Sequence, residues 1–151
     1  TNFIGRLRAK SGINMFDLPT EAQWECLCRA GTSSYYNDGN SSSADTTVLN
    51  RLAWWTGNSG GSAHAAGGKE ANGWGLYDTH GNVWEWCLDW YAASLSGGSN
   101  PQGASSGSYR VFRSGCWKAE ANLLSSGSRW RNIPSYKISD DIGFRLVITL
   151  P

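Results

Sequence analysis

The run Gly75-Leu76-Tyr77-Asp78-Thr79-His80-Gly81-Asn82-Val83-Trp84-Glu85-Trp86 constrains this chain more than any other segment. Its glycines permit backbone turns that a β-carbon forbids. Trp84 and Trp86 alternate with Glu85, which predicts a short strand with indoles on one face and a carboxylate on the other. A carboxylate among large aromatics requires a partner, because an unpaired buried charge is costly. An arginine, backbone amides or a metal ion could each satisfy Glu85.

Composition enters as a bound. One domain over residues 1–151 is expected, large enough to bury a core. The net charge of +1 gives no footing for nucleic acid or an anionic membrane, and no apolar run is long enough to span a bilayer. Nine Trp, six Tyr and nineteen Gly, with few aliphatic stretches, predict an irregular fold with an aromatic core and glycine-turned loops. Cys26, Cys28, Cys87 and Cys116 lack the spacing of a zinc site and read as buried or free thiols; a disulfide among them stays open.

Residues 2–10 read as a short amphipathic helix ending before Gly12. A second helix starts at Thr20, with Gln23 as capping-box partner and Gly31 closing the end; Trp24, Leu27 and Cys28 share its core face. Residues 32–73 are expected to be long ordered loops anchored by Leu52-Ala53-Trp54-Trp55. Residues 109–113 and 142–148 alternate as strands, whereas residues 118–141 show neither helix nor strand pattern.

The ordered set Leu18-Pro19-Thr20-Glu21-Ala22-Gln23-Trp24-Glu25, Gly75-Leu76-Tyr77-Asp78, Gly81-Asn82-Val83-Trp84-Glu85-Trp86, Asp89-Trp90-Tyr91, Arg110-Val111-Phe112-Arg113-Ser114-Gly115-Cys116-Trp117 and Gly143-Phe144-Arg145 resembles the formylglycine-generating-enzyme (sulfatase-modifying factor) family. The resemblance implies an α+β, C-type-lectin-like fold of small twisted antiparallel sheets, two short helices and extensive ordered loops. It also implies that some tens of residues usually precede the Leu-Pro-Thr-Glu helix, where this sequence has seventeen, and that Asp17 stands where Arg is common.

Oxidising members of that family use two cysteines five residues apart, thought to bind copper. Here Cys116 sits where the family has Ser, and no cysteine follows it. No copper and no catalytic residue are therefore expected. The alternative is a formylglycine-generating or related oxidase acting on a protein cysteine or small thiol; an iron oxidase of the ergothioneine kind would need more histidine than His64 and His80.

The sequence also resembles variable proteins of diversity-generating retroelements, which use the same scaffold to display a binding face. This implies a noncatalytic module presenting residues 118–141 to a protein or glycan ligand, and a cell-surface, secreted or phage-associated setting rather than a cytoplasmic one. Neither nucleic acid nor membrane insertion is expected. The expected ligand-binding set is Trp117, Lys118, Ala119, Glu120, Asn122, Leu123, Ser128, Trp130, Arg131, Asn132, Ile133, Ser135, Tyr136, Ile138, Ser139 and Asp140, rich in residue types that carry interface energy. Ala121, Arg129 and Pro134 match fixed, structural positions. Lys118, Glu120 and Trp130 are uncommon products of adenine-directed diversification, so an ordinary noncatalytic family member remains an equal reading. The family's enzymes also imply a structural calcium site, with ligands Asp78 and Glu85 through side chains and Gly81 and Val83 through carbonyls; calcium takes about six to eight oxygens. Arg145 is the competing partner for Glu85.

Overall fold

The computed structural model describes residues 2–95, 97–99, 101–136 and 139–148. Helix α1 (Phe3–Ser11) is capped by the Asn2 side chain, which accepts from the Gly5 amide at 2.8 Å, and ends at left-handed Gly12. No residue of α1 is buried, so its apolar positions lie against the surface rather than in a core. Helix α2 (Glu21–Arg29) carries both hydrogen bonds of the expected capping box, yet Ala30 rather than Gly31 takes the left-handed cap, at φ 48°. Helix α3 (Thr46–Leu52) lies in the segment expected to be loop. Asp45 caps it, and only Leu49 and Leu52 are buried, with Val48 packed beside them, too short a pattern to stand out as periodic.

Strand β1 (Phe16–Asp17) pairs with the last strand, β8 (Val147–Ile148); β2 (Ala53–Trp54) pairs in parallel with β3 (His80–Gly81). The main sheet has the order β6-β5-β4-β7, from β4 (Trp84–Trp90), β5 (Arg110–Arg113), β6 (Trp130–Asn132) and β7 (Ile142–Phe144). Two expectations change here. Residues 142–148 are not one strand but two in different sheets, broken where Arg145 turns back to Glu85. Residues 118–141 contain a 3-10 turn (Ala121–Leu123) and the edge strand β6, three residues long and hence invisible as a periodic pattern.

The alternation around Glu85 builds two cores. Trp84 and Phe112 belong to one, with Tyr36, Leu49, Trp55, Cys116 and Leu124; Cys87 and Val111 meet Trp24 and Cys28 of α2 on the opposite face. Gly81 and Gly115 explain the glycines of the two motifs that flank this sheet. Both sit at positive φ, and a β-carbon would collide with the Trp54 carbonyl at the first and with Leu124 at the second. Among the described residues no helix is long and apolar enough to cross a membrane.

Candidate functional site

The face of the main sheet opposite α2 carries one aromatic row across all four strands. Register aligns Phe144 with Trp86, Trp86 with Phe112 and Phe112 with Trp130. Phe112 is buried and meets the Trp86 ring edge-on at 3.9 Å, so it supports the row from beneath. Its ends remain open: Phe144 is 49% and Trp130 55% exposed. Tyr136 and Ser139 join Trp86, Ile142, Gly143 and Phe144 around a cavity of about 160 Å³.

Residues 118–141 reach this face on fixed supports. Ala119 accepts from the Thr56 amide, Leu124 fills the core, and the Lys118 ammonium pairs with Asp141 at 3.0 Å. Arg129, expected to be structural, grips the buried Glu21 carboxylate at 2.5 and 2.8 Å. The Ala121 carbonyl accepts from the Tyr36 hydroxyl, while Pro134 lies exposed in a turn.

The expected binding residues divide accordingly. Lys118, Glu120, Asn122, Leu123, Trp130, Arg131, Ile133, Ser135, Tyr136 and Asp140 are exposed; Trp117, Ser128, Asn132 and Ser139 are half-buried. Ala119 is a correction: it packs in the core and offers no surface. Ile138 lies outside the described residues. The single face expected from the sequence is a second correction. Trp130 pairs with Phe112 but Arg131 with Val111, and strand alternation sends neighbours to opposite sides. Arg131 therefore belongs to the α2 side, over the rings of Tyr91 and Tyr109.

Glu85 is answered by protein groups. The Arg145 guanidinium donates to both carboxylate oxygens at 3.0 Å, and the Trp24 indole donates at 2.6 Å. Burial pushes the Glu85 carboxyl up from its usual pKa, against the downward pull of Arg145. Asp78, Val83 and Glu85 do line one cavity of about 630 Å³, and Asp78 Oδ1 is buried without a partner. The Gly81 carbonyl, however, takes the Ser114 hydroxyl. The charge on Glu85 is already met by Arg145, so a calcium ion among these residues would share that carboxylate with the guanidinium.

The sequence reading missed a buried ion network. Arg113 is fully buried, and contacts Glu21 at 3.3 Å and Glu25 at 2.6 Å; Arg29 reaches Glu25 at 2.8 Å. Glu21 lies three residues from Trp24 and seven from Cys28, on the same α2 face, which was the available signal.

Both histidines and the buried thiols are spent. His80 Nδ1–H donates to the Leu124 carbonyl at 2.7 Å, and Nε2 accepts from the Asn37 amide at 3.2 Å, which fixes a neutral ring. His64 stacks on Trp54 at 3.7 Å, with Nε2 against the Ser59 carbonyl. All four cysteines are free. Burial raises the Cys28 and Cys116 thiols to about 11 and Cys87 well above its usual value, which disfavours the thiolate that binds metals or attacks disulfides.

A four-stranded sheet between two cores, three short helices and loops tied by buried hydrogen bonds define an α+β, C-type-lectin-like scaffold. The chain belongs to the family of sulfatase-modifying factor enzyme 1-like domains, whose model matches residues 1–150. A solved structure, Treponema denticola variable protein 1, is 38% identical, with TM-score 0.78 over 87% of this chain and 46% of that one. PvdO from Pseudomonas aeruginosa is 28% identical, with TM-score 0.78 over 99% and 58%. The formylglycine-generating enzyme of Streptomyces coelicolor is 33% identical over 85% of this chain and 45% of its own length. A Chlamydia caviae protein named serine/threonine-protein kinase pkn1 is 37% identical, again over 85% of this chain but 20% of its own. The chain spans from a fifth to just over half of these relatives.

Proposed function

We propose that this domain is a noncatalytic binding module whose ligand, a protein or a glycan, seats on the aromatic row and the loop beside it. One observation carries the reading: large exposed side chains, Trp130, Ile133 and Tyr136, project from a segment whose base is pinned by Ala119, Leu124 and Arg129. A rigid support under exposed aromatics lowers the entropy cost of binding. Likeness to the Treponema variable protein supports it. So does the absence from the sequence of any cysteine after Cys116, which removes the pair used by the family's oxidases.

Probing arrays of surface proteins and of glycans with the purified domain tests the reading. A captured ligand is expected to lose at least about tenfold in affinity, roughly 1.4 kcal/mol, in Trp130→Ala and in Tyr136→Ala. The melting temperature should move by no more than about 2 °C, since both side chains are exposed. Unchanged affinity in both variants would move the binding site elsewhere; oxidation of a sulfatase-type cysteine peptide by the domain would replace the reading with an enzyme.

We also propose that Arg145 serves the structural role expected of calcium. Melting in excess EDTA and in millimolar calcium is expected to coincide. A ligand bound only by the native state must stabilise it, so a calcium-dependent rise of several degrees would restore the metal.

A further inference from the structure

Where the β6 edge turns to the α2 side of the sheet, Tyr91, Tyr109, Arg129 and Arg131, with Trp130 from the end of the aromatic row, line a cleft of about 330 Å³. The Arg131 guanidinium lies 4.5 Å from the Tyr91 ring centre and 5.2 Å from that of Tyr109. Stacking holds it in place without consuming its hydrogen-bond donors. Among the described residues no carboxylate lies within ion-pair distance of it. Arg129, the second guanidinium of the cleft, is committed to Glu21 and also stacks on Tyr91, at 5.0 Å. Arg110 lies in register with Asn132 and is engaged by the Trp90 ring at 3.7 Å and the Leu88 carbonyl, again without a carboxylate.

The cleft opens beside β6, which is the edge of the main sheet; among the described residues no strand pairs with its outer side. An edge strand offers backbone donors and acceptors to an added strand. The cleft is large enough for a side chain, and its unspent charge is positive.

We propose that the β6 edge docks an extended acidic segment of a protein partner, with a carboxylate of that segment forked onto Arg131 between Tyr91 and Tyr109. The edge supplies backbone pairing and Arg131 supplies selection for charge. An Arg–carboxylate fork has two parallel hydrogen bonds and a fixed plane, which a lysine cannot reproduce. This contact shares Trp130 and the 118–141 segment with the reading above, but the Arg131 that selects for charge lies on the other side of the sheet.

The test uses a blocked six-residue peptide of alternating Glu and Val, its Gln–Val counterpart, and a heparin oligosaccharide, each titrated into the isotope-labelled domain and followed by amide NMR. Saturable shifts are expected at residues 130–132 and at Tyr91 and Tyr109 with the Glu peptide, and at least tenfold weaker ones with the Gln peptide. Arg131→Gln is expected to weaken Glu-peptide binding at least tenfold, and Arg131→Lys by an intermediate factor. Tyr136→Ala, which probes the aromatic row and does not line this cleft, is expected to leave the result unchanged, so the two proposals fail separately. Equal binding of both peptides overturns the proposal, as does no binding of either. Heparin shifting the same resonances while the Glu peptide does not also overturns it, in favour of a sulfated glycan.

Discussion

Replacing Arg113 with methionine is expected to destabilise the domain by about 3–5 kcal/mol, the range for breaking a buried ion pair from one side. Arg113 is wholly buried, and its guanidinium donates to Glu21, Glu25 and the carbonyls of Ser126 and Gly127, with the Trp24 ring 5.2 Å away. Methionine fills much of the volume and leaves two carboxylates and two carbonyls short of donors. Arg129 continues to hold Glu21, which sets the loss below that of an isolated charge. Thermal melting should fall by on the order of 10 °C for a chain of this size. A variant within 1 °C of the parent would mean that the network selects the packing without stabilising it.

Acidification should weaken the fold through His80. Burial lowers its pKa from 6.5 to about 4, because a charged ring has no room to be solvated between Leu124 and Asn37. The folded state thus favours the neutral ring, so the unfolded chain binds the extra proton between pH 6.5 and 4. Stability from this group is complete above pH 6.5, falls as the pH drops through that window, and levels below about 4. The full loss is about 3 kcal/mol at 1.36 kcal/mol per unit. Around the ring stand the Cys28 thiol, raised and so uncharged here, the Tyr36 ring, and the opposing fields of Asp38 and Arg29. Buried Glu85 and Asp89 have raised values and act with the opposite sign, since protonation of each is easier in the fold. Denaturant unfolding at several pH values, in the parent and in His80→Gln, separates these contributions. The variant should lose the fall between pH 6.5 and 4 that the parent shows; identical slopes would assign acid sensitivity to other groups.

How far the sequence disclosed this structure depends on where each signal resides. The α2 capping box and the Trp84–Glu85–Trp86 alternation are local, set by neighbours three or two positions away, and both stand as expected. Arg145 as partner of Glu85 was one of the alternatives, because a buried carboxylate has few solutions. The α3 helix was hidden by Thr47, Val48 and a single inward turn of Leu49 and Leu52. Strand β6 exists only by pairing with β5, a contact that three residues of sequence do not encode. The division of the 118–141 segment follows from that pairing, so Arg131 could not be separated from Trp130 beforehand. Ala119 looked like loop because its burial comes from Thr56 and Trp55, more than sixty positions upstream.

The grip of Arg129 on Glu21 has a consequence for how this surface can change. It fastens the middle of the 118–141 segment to a helix that contributes nothing else to the exposed row, while Lys118 and Asp141 clasp its ends. Replacements at the exposed positions between these fasteners do not pass through the cores, unlike those at Ala119 or Leu124, so their effects on stability should add rather than compound. The scaffold can thus be rewritten at its exposed positions one at a time or all at once, with the same two clasps deciding whether the result still folds.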